Sequence, residues 1–193
     1  MICVDSKGDE KRLLRADLRR LREDKFISES WIHIVHCPEI QTSRVIASYI
    51  SYGVEPQTSD INQSLIATGK TVLLPRTLPN RDLEWVAWDG STASLKKNGK
   101  VLEPTGTTFN DEAAIEVVIV PALVVDHEGN RMGQGGGSYD RALARLNAWK
   151  IALVGAHEIA HLALPTEPHD QKVDAAATPG LLMRFNRGAA DPL

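Results

Sequence analysis

A chain of 193 residues has the usual size of one domain, and its 42% apolar and 24% charged residues are typical of an ordinary soluble protein. The net charge of −3, without a long run of like charges, argues against a general nucleic-acid binder. The longest apolar run, residues 117–125, is far shorter than the roughly 20 residues of a membrane span. We therefore expect one domain over residues 1–193 that binds neither nucleic acid nor membrane.

The two cysteines, Cys3 and Cys37, belong to no C-x-x-C pair and to no zinc-like cluster. The first residues lack the apolar run and the basic lead of a signal peptide. Two distant cysteines in such a chain indicate reduced thiols. We expect a cytoplasmic protein, and a monomer.

The first predicted element is a helix over residues 9–25. Leu14, Leu18 and Leu21 follow one another at helical spacing and form one apolar stripe. For an isolated helix, the basic side chains around this stripe favour a solvated face. These side chains are Lys11, Arg12, Arg15, Arg19 and Arg22.

A second helix is predicted over residues 28–36, ending before Pro38. The β-branched and aromatic residues of 44–52 predict a strand. A third helix is capped by Thr58 or Ser59 and runs to Thr68, with Gly69 as the residue after its end. A short buried strand follows at 71–75, and the three elements have the size of one βαβ crossover.

A further apolar strand is predicted at 83–88, followed by a polar, turn-rich stretch at 89–113. Residues 115–121 form the clearest strand of the chain. A helix at 139–148 and a strand at 151–155 follow, and they complete a second βαβ unit.

A last strand is predicted at 173–177. Alternating strands and helices predict an α/β fold, with a largely parallel central sheet and helices on both faces. The chain contains no internal repeat and no linker that would divide it. These patterns support a single domain.

Residues 133–137 contain four glycines in five positions, between a buried strand and a helix. Glycines let the backbone approach a ligand closely, and the N–H groups at the start of a helix suit phosphate. A plain flexible loop is the alternative. The sequence is not a Walker A loop, because no Lys-Ser or Lys-Thr follows, and Ser138 replaces the third glycine of a dinucleotide fingerprint.

Carboxylates close to this loop are candidate ligands for Mg²⁺, which prefers oxygen donors. Asp140 directly follows the loop and could equally stabilise the start of the next helix. The cluster His169, Asp170 and Asp174 could supply another ligand or lie in a solvated loop. His157 and His161 belong to a His-Glu-x-x-His sequence, which has the spacing of the zinc signature, but the histidines of the chain make no convincing ligand set.

Five short motifs occur in order over about residues 11–178. They are KRLLR at 11–15, EPQT at 55–58 ahead of a Gly-Lys pair, Pro75 with the later Glu103-Pro104 pair, GNRMGQGGGSYD at 129–140, and HDQKVD at 169–174. Each motif is modest alone. Together they resemble the 5-formyltetrahydrofolate cyclo-ligase family.

This resemblance implies an ATP- and Mg²⁺-dependent ligase that closes 5-formyltetrahydrofolate to 5,10-methenyltetrahydrofolate and releases ADP and phosphate. It implies catalytic roles for Lys11, Arg131 and Gln134, and Mg²⁺ ligands in Asp140 and Asp170. Folate contacts are implied for Ile50, Glu55, Gln134 and Ser138. ATP contacts are implied for Lys11, Arg12, Leu13, Leu14, Arg15, Arg131, Met132, Gly133, Gln134, Gly135, Gly136, Gly137, Ser138 and Tyr139.

The chain departs from the family pattern at two positions. Many members have Arg or Lys in place of Gln134 and Tyr in place of Ser138, so these changes bear on the folate contacts and on the rate. Because of these two departures, a protein that binds folate or nucleotide without catalysing a reaction is an alternative. A sugar-phosphate isomerase that uses the glycine loop, and an interaction module that uses the basic helix, are further alternatives.

Overall fold

The computed structural model describes residues 6–25 and 29–185. Its α-helices are α1 (Ser6–Asp24), α2 (Pro38–Thr42), α3 (Ser59–Ala67) and α4 (Ser138–Arg145). Its strands are β1 (Val45–Ala47), β2 (Thr71–Thr77), β3 (Leu83–Trp88), β4 (Leu95–Asn98), β5 (Val101–Pro104), β6 (Val117–Pro121), β7 (Val124–Asp126), β8 (Arg131–Met132), β9 (Trp149–Leu153), β10 (Ile159–Ala160), β11 (Ala175–Thr178) and β12 (Leu181–Arg184).

Seven strands form the central sheet in the order β12-β11-β9-β6-β1-β2-β3. Neighbours from β11 to β2 are parallel, and both edge strands are antiparallel. The units β1-α3-β2 and β6-α4-β9 each join neighbouring parallel strands, as the sequence predicts. The prediction of a largely parallel α/β sheet is therefore confirmed.

The core lies on both faces of this sheet, because successive side chains of a strand point to opposite faces. Ile119 packs with Ile34 and Leu65 on the face that carries α3, whereas Val118 packs with Leu143 of α4 on the other face. All five of these side chains are buried. The prediction of helices on both faces is confirmed.

Two predicted elements are shorter than expected. The helix predicted at 28–36 is a 3-10 helix over Ile32–His36, and the extended backbone of Cys37 separates it from α2. The strand predicted at 44–52 ends at Ala47, because the carbonyl of Tyr49 accepts hydrogen bonds from the side chains of Thr58 and Asn62. These bonds draw the chain out of the sheet and into a loop.

For helix α1, the interpretation of its basic side chains as a solvated face is wrong at two positions. Its leucine stripe is only half-buried, whereas Lys11 and Arg22 are buried and point toward the rest of the protein. Arg22 forms a salt bridge to Glu158 and donates to the carbonyl of Ala122. The helix therefore docks chiefly through cationic side chains.

Within the described residues, no helix is both long and apolar enough to cross a membrane. Cys37 is buried and has no disulfide partner among the described residues, and Cys3 lies outside them. The polar stretch 89–113 contains the β4–β5 hairpin, which packs beside β2.

Candidate active site

A cleft of about 410 Å³ opens at the carboxyl ends of three parallel strands. β1, β2 and β6 run in the same direction, so the residues at their ends meet at one edge of the sheet. Ile50 after β1, Thr77 at the end of β2 and Ala122 after β6 all line the cleft. Open α/β sheets bind ligands at this edge, which makes the cleft the candidate active site.

Three basic residues of α1, each one turn from the next, contact residues that line this cleft. Lys11 Nζ lies 2.6 Å from Glu167 Oε2 and 2.5 Å from Asp170 Oδ2. Arg15 Nε donates to the carbonyl of Gly133 at 3.2 Å. Arg19 donates to Gln134. The i, i+4, i+8 spacing places all three on one helix face.

The other members of the predicted ATP-binding run do not line the cleft. Arg12 is exposed and pairs with Asp9, Leu13 is 60% exposed, and Leu14 is half-buried on the side of the helix. Successive side chains of a helix are rotated by about 100°, so Lys11 and Arg15, four residues apart, face the cleft while the three residues between them do not. Arg12, Leu13 and Leu14 therefore lie outside the cleft lining, and their ATP contacts stay predictions.

The whole predicted run from Arg131 to Tyr139 lines the cleft. Gly129, ahead of it, has a φ of +78°, and a Cβ there would lie 2.5 Å from the carbonyl oxygen of Val173. Val173 N donates to Gly129 O at 2.9 Å. Glycine therefore allows the glycine loop and the HDQKVD segment to meet, although they are distant in sequence.

Two buried polar atoms of the loop have no hydrogen-bond partner among the described residues. They are Nε of Arg131 and the hydroxyl of Tyr139. Burying an unpaired polar group costs about 1–3 kcal/mol. Such atoms at the wall of a cleft are suited to meet a polar ligand.

The two predicted metal ligands are neighbours in this cleft. Asp140 Oδ1 accepts hydrogen bonds from Arg131 at 2.8 Å and from the backbone of Gln171 at 3.1 Å. Gln171 directly follows Asp170, so both carboxylates lie at the same end of the cleft. Asp174 is elsewhere, because its carboxylate accepts from the backbone N–H of Lys150 in β9.

Glu167 joins this cluster and is a site residue that the sequence analysis missed. Donor atoms of Glu167, His169 and Asp170 all lie within 4.8 Å of one another. Burial alone would raise the pKa of Asp170, but hydrogen bonds from Lys11 and from the Glu167 backbone lower it. The only sequence signal was an acidic residue close to the His-Asp pair.

Glu55 lies at the other end of the cleft, with Ile50. Burial raises the pKa of Glu55 to about 7, although the Tyr52 N–H, the charge of Arg22 and the side chain of Gln134 each lower it. This carboxyl can therefore carry or release a proton near neutral pH. The cleft thus has a strongly charged end and a less polar end.

We expect Glu55→Gln to change the pH dependence of stability. Between pH 4.5 and 7 the unfolded chain loses the Glu55 proton while the folded chain retains it, so the stability of the unmodified protein falls as pH rises. The variant should escape this loss and be about 3 kcal/mol more stable at pH 8, with little difference at pH 4. Urea unfolding at both pH values measures this, and parallel pH profiles would contradict it.

Comparisons with known proteins find relatives over most of the chain. A sequence model of the 5-formyltetrahydrofolate cyclo-ligase family matches residues 6–179. The 5-formyltetrahydrofolate cyclo-ligase of Mycolicibacterium smegmatis is 33% identical over 147 residues, which cover 72% of this chain and 75% of that protein. A probable 5-formyltetrahydrofolate cyclo-ligase of Schizosaccharomyces pombe is 25% identical over 198 residues, covering 92% and 97% of the two chains.

Solved structures show the same fold. The NMR structure of Aquifex aeolicus 5,10-methenyltetrahydrofolate synthetase matches with a TM-score of 0.74 and 25% identity, covering 93% of this chain and 97% of that one. The synthetase of Mycoplasma pneumoniae matches with a TM-score of 0.63 and 17% identity, over 86% and 96% of the chains. With the family match over most of its length, the chain belongs to the 5-formyltetrahydrofolate cyclo-ligase family, as its motifs predict.

Proposed function

We propose that the chain is a cytoplasmic, monomeric ligase that uses ATP and Mg²⁺ to close 5-formyltetrahydrofolate to 5,10-methenyltetrahydrofolate. The observation that carries this proposal is the convergence of four distant segments on one cleft. Lys11 and Arg15 come from α1, Glu55 from the loop after β1, the glycine loop from the segment before α4, and Asp170 from the loop after β10. These are the segments that bear the family motifs.

The charged end of the cleft would hold the triphosphate. Lys11 and Arg15 supply positive charge from one side, and Arg131 supplies it from the other. The glycine loop lies between them and can approach a phosphate closely because Gly135 and its neighbours lack Cβ atoms. Glu55 and Ile50, at the other end, would contact the folate, whose pterin N–H groups can donate to a carboxylate.

The reaction needs ATP because a formyl oxygen is a poor leaving group. The oxygen of the N5 formyl group attacks the γ-phosphorus, a P–O bond forms, and ADP leaves. N10 then attacks the activated formyl carbon, the C–O bond breaks with departure of phosphate, and N10 loses its proton. The residues of this chain contribute orientation and stabilisation of negative charge through Lys11, Arg15 and Arg131, and we invoke no covalent intermediate with the protein.

The residues at the charged end fit a Mg²⁺ ion. Asp140 and Asp170 offer the oxygen donors that Mg²⁺ prefers, and Glu167 offers another. Each of these carboxylates forms a salt bridge to a basic side chain, since Arg131 pairs with Asp140 and Lys11 pairs with Glu167 and Asp170. The ion would supply charge that neutralises the phosphates.

An assay of the purified protein tests the proposal directly. With 5-formyltetrahydrofolate, ATP and Mg²⁺, we expect the absorbance of the methenyl product to rise while ADP and phosphate form in equal amounts. Omission of ATP should abolish the signal. Binding of folate and ATP without any turnover would reject the proposed activity and support a binding protein.

Asp140→Asn should weaken activity more at low Mg²⁺ than at high Mg²⁺. Removal of a carboxylate ligand is expected to raise the Mg²⁺ concentration for half-maximal rate by at least about ten-fold. Mg²⁺ titrations at saturating ATP measure this shift. Glu128→Gln is the matched control, because Glu128 pairs with Lys172 and does not line the cleft. An unchanged Mg²⁺ dependence of the Asp140 variant would count against coordination.

A further inference from the structure

Arg19 forms two hydrogen bonds to a single residue of the glycine loop. Its Nε donates to Gln134 Oε1 at 2.8 Å, and its Nη2 donates to the Gln134 carbonyl at 2.9 Å. Gln134 itself lines the cleft, whereas Arg19 does not. A planar guanidinium that contacts both the side chain and the backbone of one residue restricts that residue strongly.

The contact to Oε1 decides which way the amide of Gln134 faces. An amide has an acceptor oxygen on one side and an NH₂ donor on the other. Because the oxygen accepts from Arg19, the NH₂ group must point away from α1. On that side lies Glu55, and the Gln134 side chain is near enough to lower the pKa of this carboxyl.

We propose that Arg19 is a positioning residue, which orients the amide of Gln134 so that its NH₂ group faces the folate end of the cleft beside Glu55. Arg19 thereby acts on the substrate through Gln134 rather than by contact. The effect on folate rests on the proposed function of the cleft. The orientation of the amide does not, and it can be measured without substrate.

Other charged and titratable groups also surround Glu55. The charge of Arg22 acts on Glu55, but its guanidinium is held by Glu158. The Tyr52 backbone N–H donates to Glu55 at 3.2 Å, and the phenols of Tyr49 and Tyr139 lie near enough to feel its charge. Gln134 is therefore the neighbouring side chain whose donor depends on Arg19.

The test compares Arg19→Met with Arg20→Met. Arg20 carries the same charge on the same helix but is exposed, and only a 3.9 Å contact joins it to Asp17. Titration of the Glu55 carboxyl by ¹³C NMR, assigned with Glu55→Gln, should give a higher pKa in Arg19→Met than in the unmodified protein. Arg20→Met should leave it unchanged. The KM for 5-formyltetrahydrofolate should rise about five-fold in Arg19→Met, the cost of one misdirected hydrogen bond, with little change in the KM for ATP.

A double-mutant cycle separates orientation from simple charge. In a Gln134→Ala background the amide is absent, so Arg19→Met should produce no further change in the Glu55 pKa or in the folate KM. Additive effects would show that Arg19 acts by its charge and would overturn the proposal, as would an unchanged Glu55 pKa in Arg19→Met. A rise in the KM for ATP alone would assign Arg19 to loop stability. If the unmodified protein has no ligase activity, the proposed function fails while the NMR result still decides the orientation.

Discussion

Replacement of Arg22 by methionine is expected to destabilise the fold by about 3–5 kcal/mol. Arg22 and Glu158 have side-chain exposures of only 6% and 4%, and their closest atoms are 2.5 Å apart. The substitution leaves the Glu158 carboxylate buried beside the Gly155 N–H without its cation. Chemical denaturation at neutral pH measures the loss.

Two further variants test whether an unpaired buried charge causes this loss of stability. Arg20→Met should cost less than about 0.5 kcal/mol, because its ion pair with Asp17 is exposed. The double variant Arg22→Met with Glu158→Met removes both charges and should recover part of the stability. If the double variant is no more stable than Arg22→Met, the cost comes from the lost hydrogen bond to Ala122 and not from an unpaired charge.

Lys11→Met should lower kcat/KM for ATP by about 10²–10³-fold, the usual cost of removing one group that stabilises transferring charge. The basic pattern of the helix predicts an exposed lysine whose loss leaves stability intact. That premise is wrong, because Lys11 is buried between Glu167 and Asp170. We therefore also expect a loss of about 1–2 kcal/mol, discounted for the partial exposure of the carboxylates.

The pH dependence of this stability loss has a defined sign. Burial would lower the pKa of Lys11, but hydrogen bonds to Asp170 and Glu167 raise it, and the pKa of Asp170 is lowered. The difference between Lys11→Met and the unmodified protein should be full near neutral pH. It should shrink as pH falls through the lowered pKa of Asp170, and again as pH rises above the raised pKa of Lys11. Lys7→Met, one turn away and exposed, is the control for both activity and stability.

Local patterns predicted the fold well where burial is continuous. The apolar run of β6 and the end of α3 before Gly69 follow from short segments, because both depend on residues that are neighbours along the chain. The strand predicted at 44–52 was too long for the opposite reason. Tyr49 and Ile50 are apolar because they line a cleft, and a local pattern cannot tell a cleft wall from a sheet.

The inner face of α1 could not be predicted from the helix itself. Its partners lie 136 residues away at Glu158 and 159 residues away at Asp170. From the helix sequence alone, charged side chains are expected to be exposed to water. They are buried here because the folded chain places carboxylates beside them. The family motifs include both Lys11 and Asp170, which contact each other in the structure. Periodicity gives no sign of this contact, because the two residues are distant in sequence. Glu167 and Arg19 lie outside those motifs and emerged from geometry.

The way α1 is attached has a consequence for product release. Its leucines are half-buried and its deepest side chains are held by ion pairs, so little apolar surface resists separation of this helix from the sheet. Local opening of α1 therefore requires less free energy than unfolding of the domain. Because Lys11 and Arg15 belong to this helix, a triphosphate bound as proposed would strengthen the attachment, and its conversion to ADP would weaken it. Under the proposed function, lifting of α1 would then free the nucleotide while the sheet stays folded.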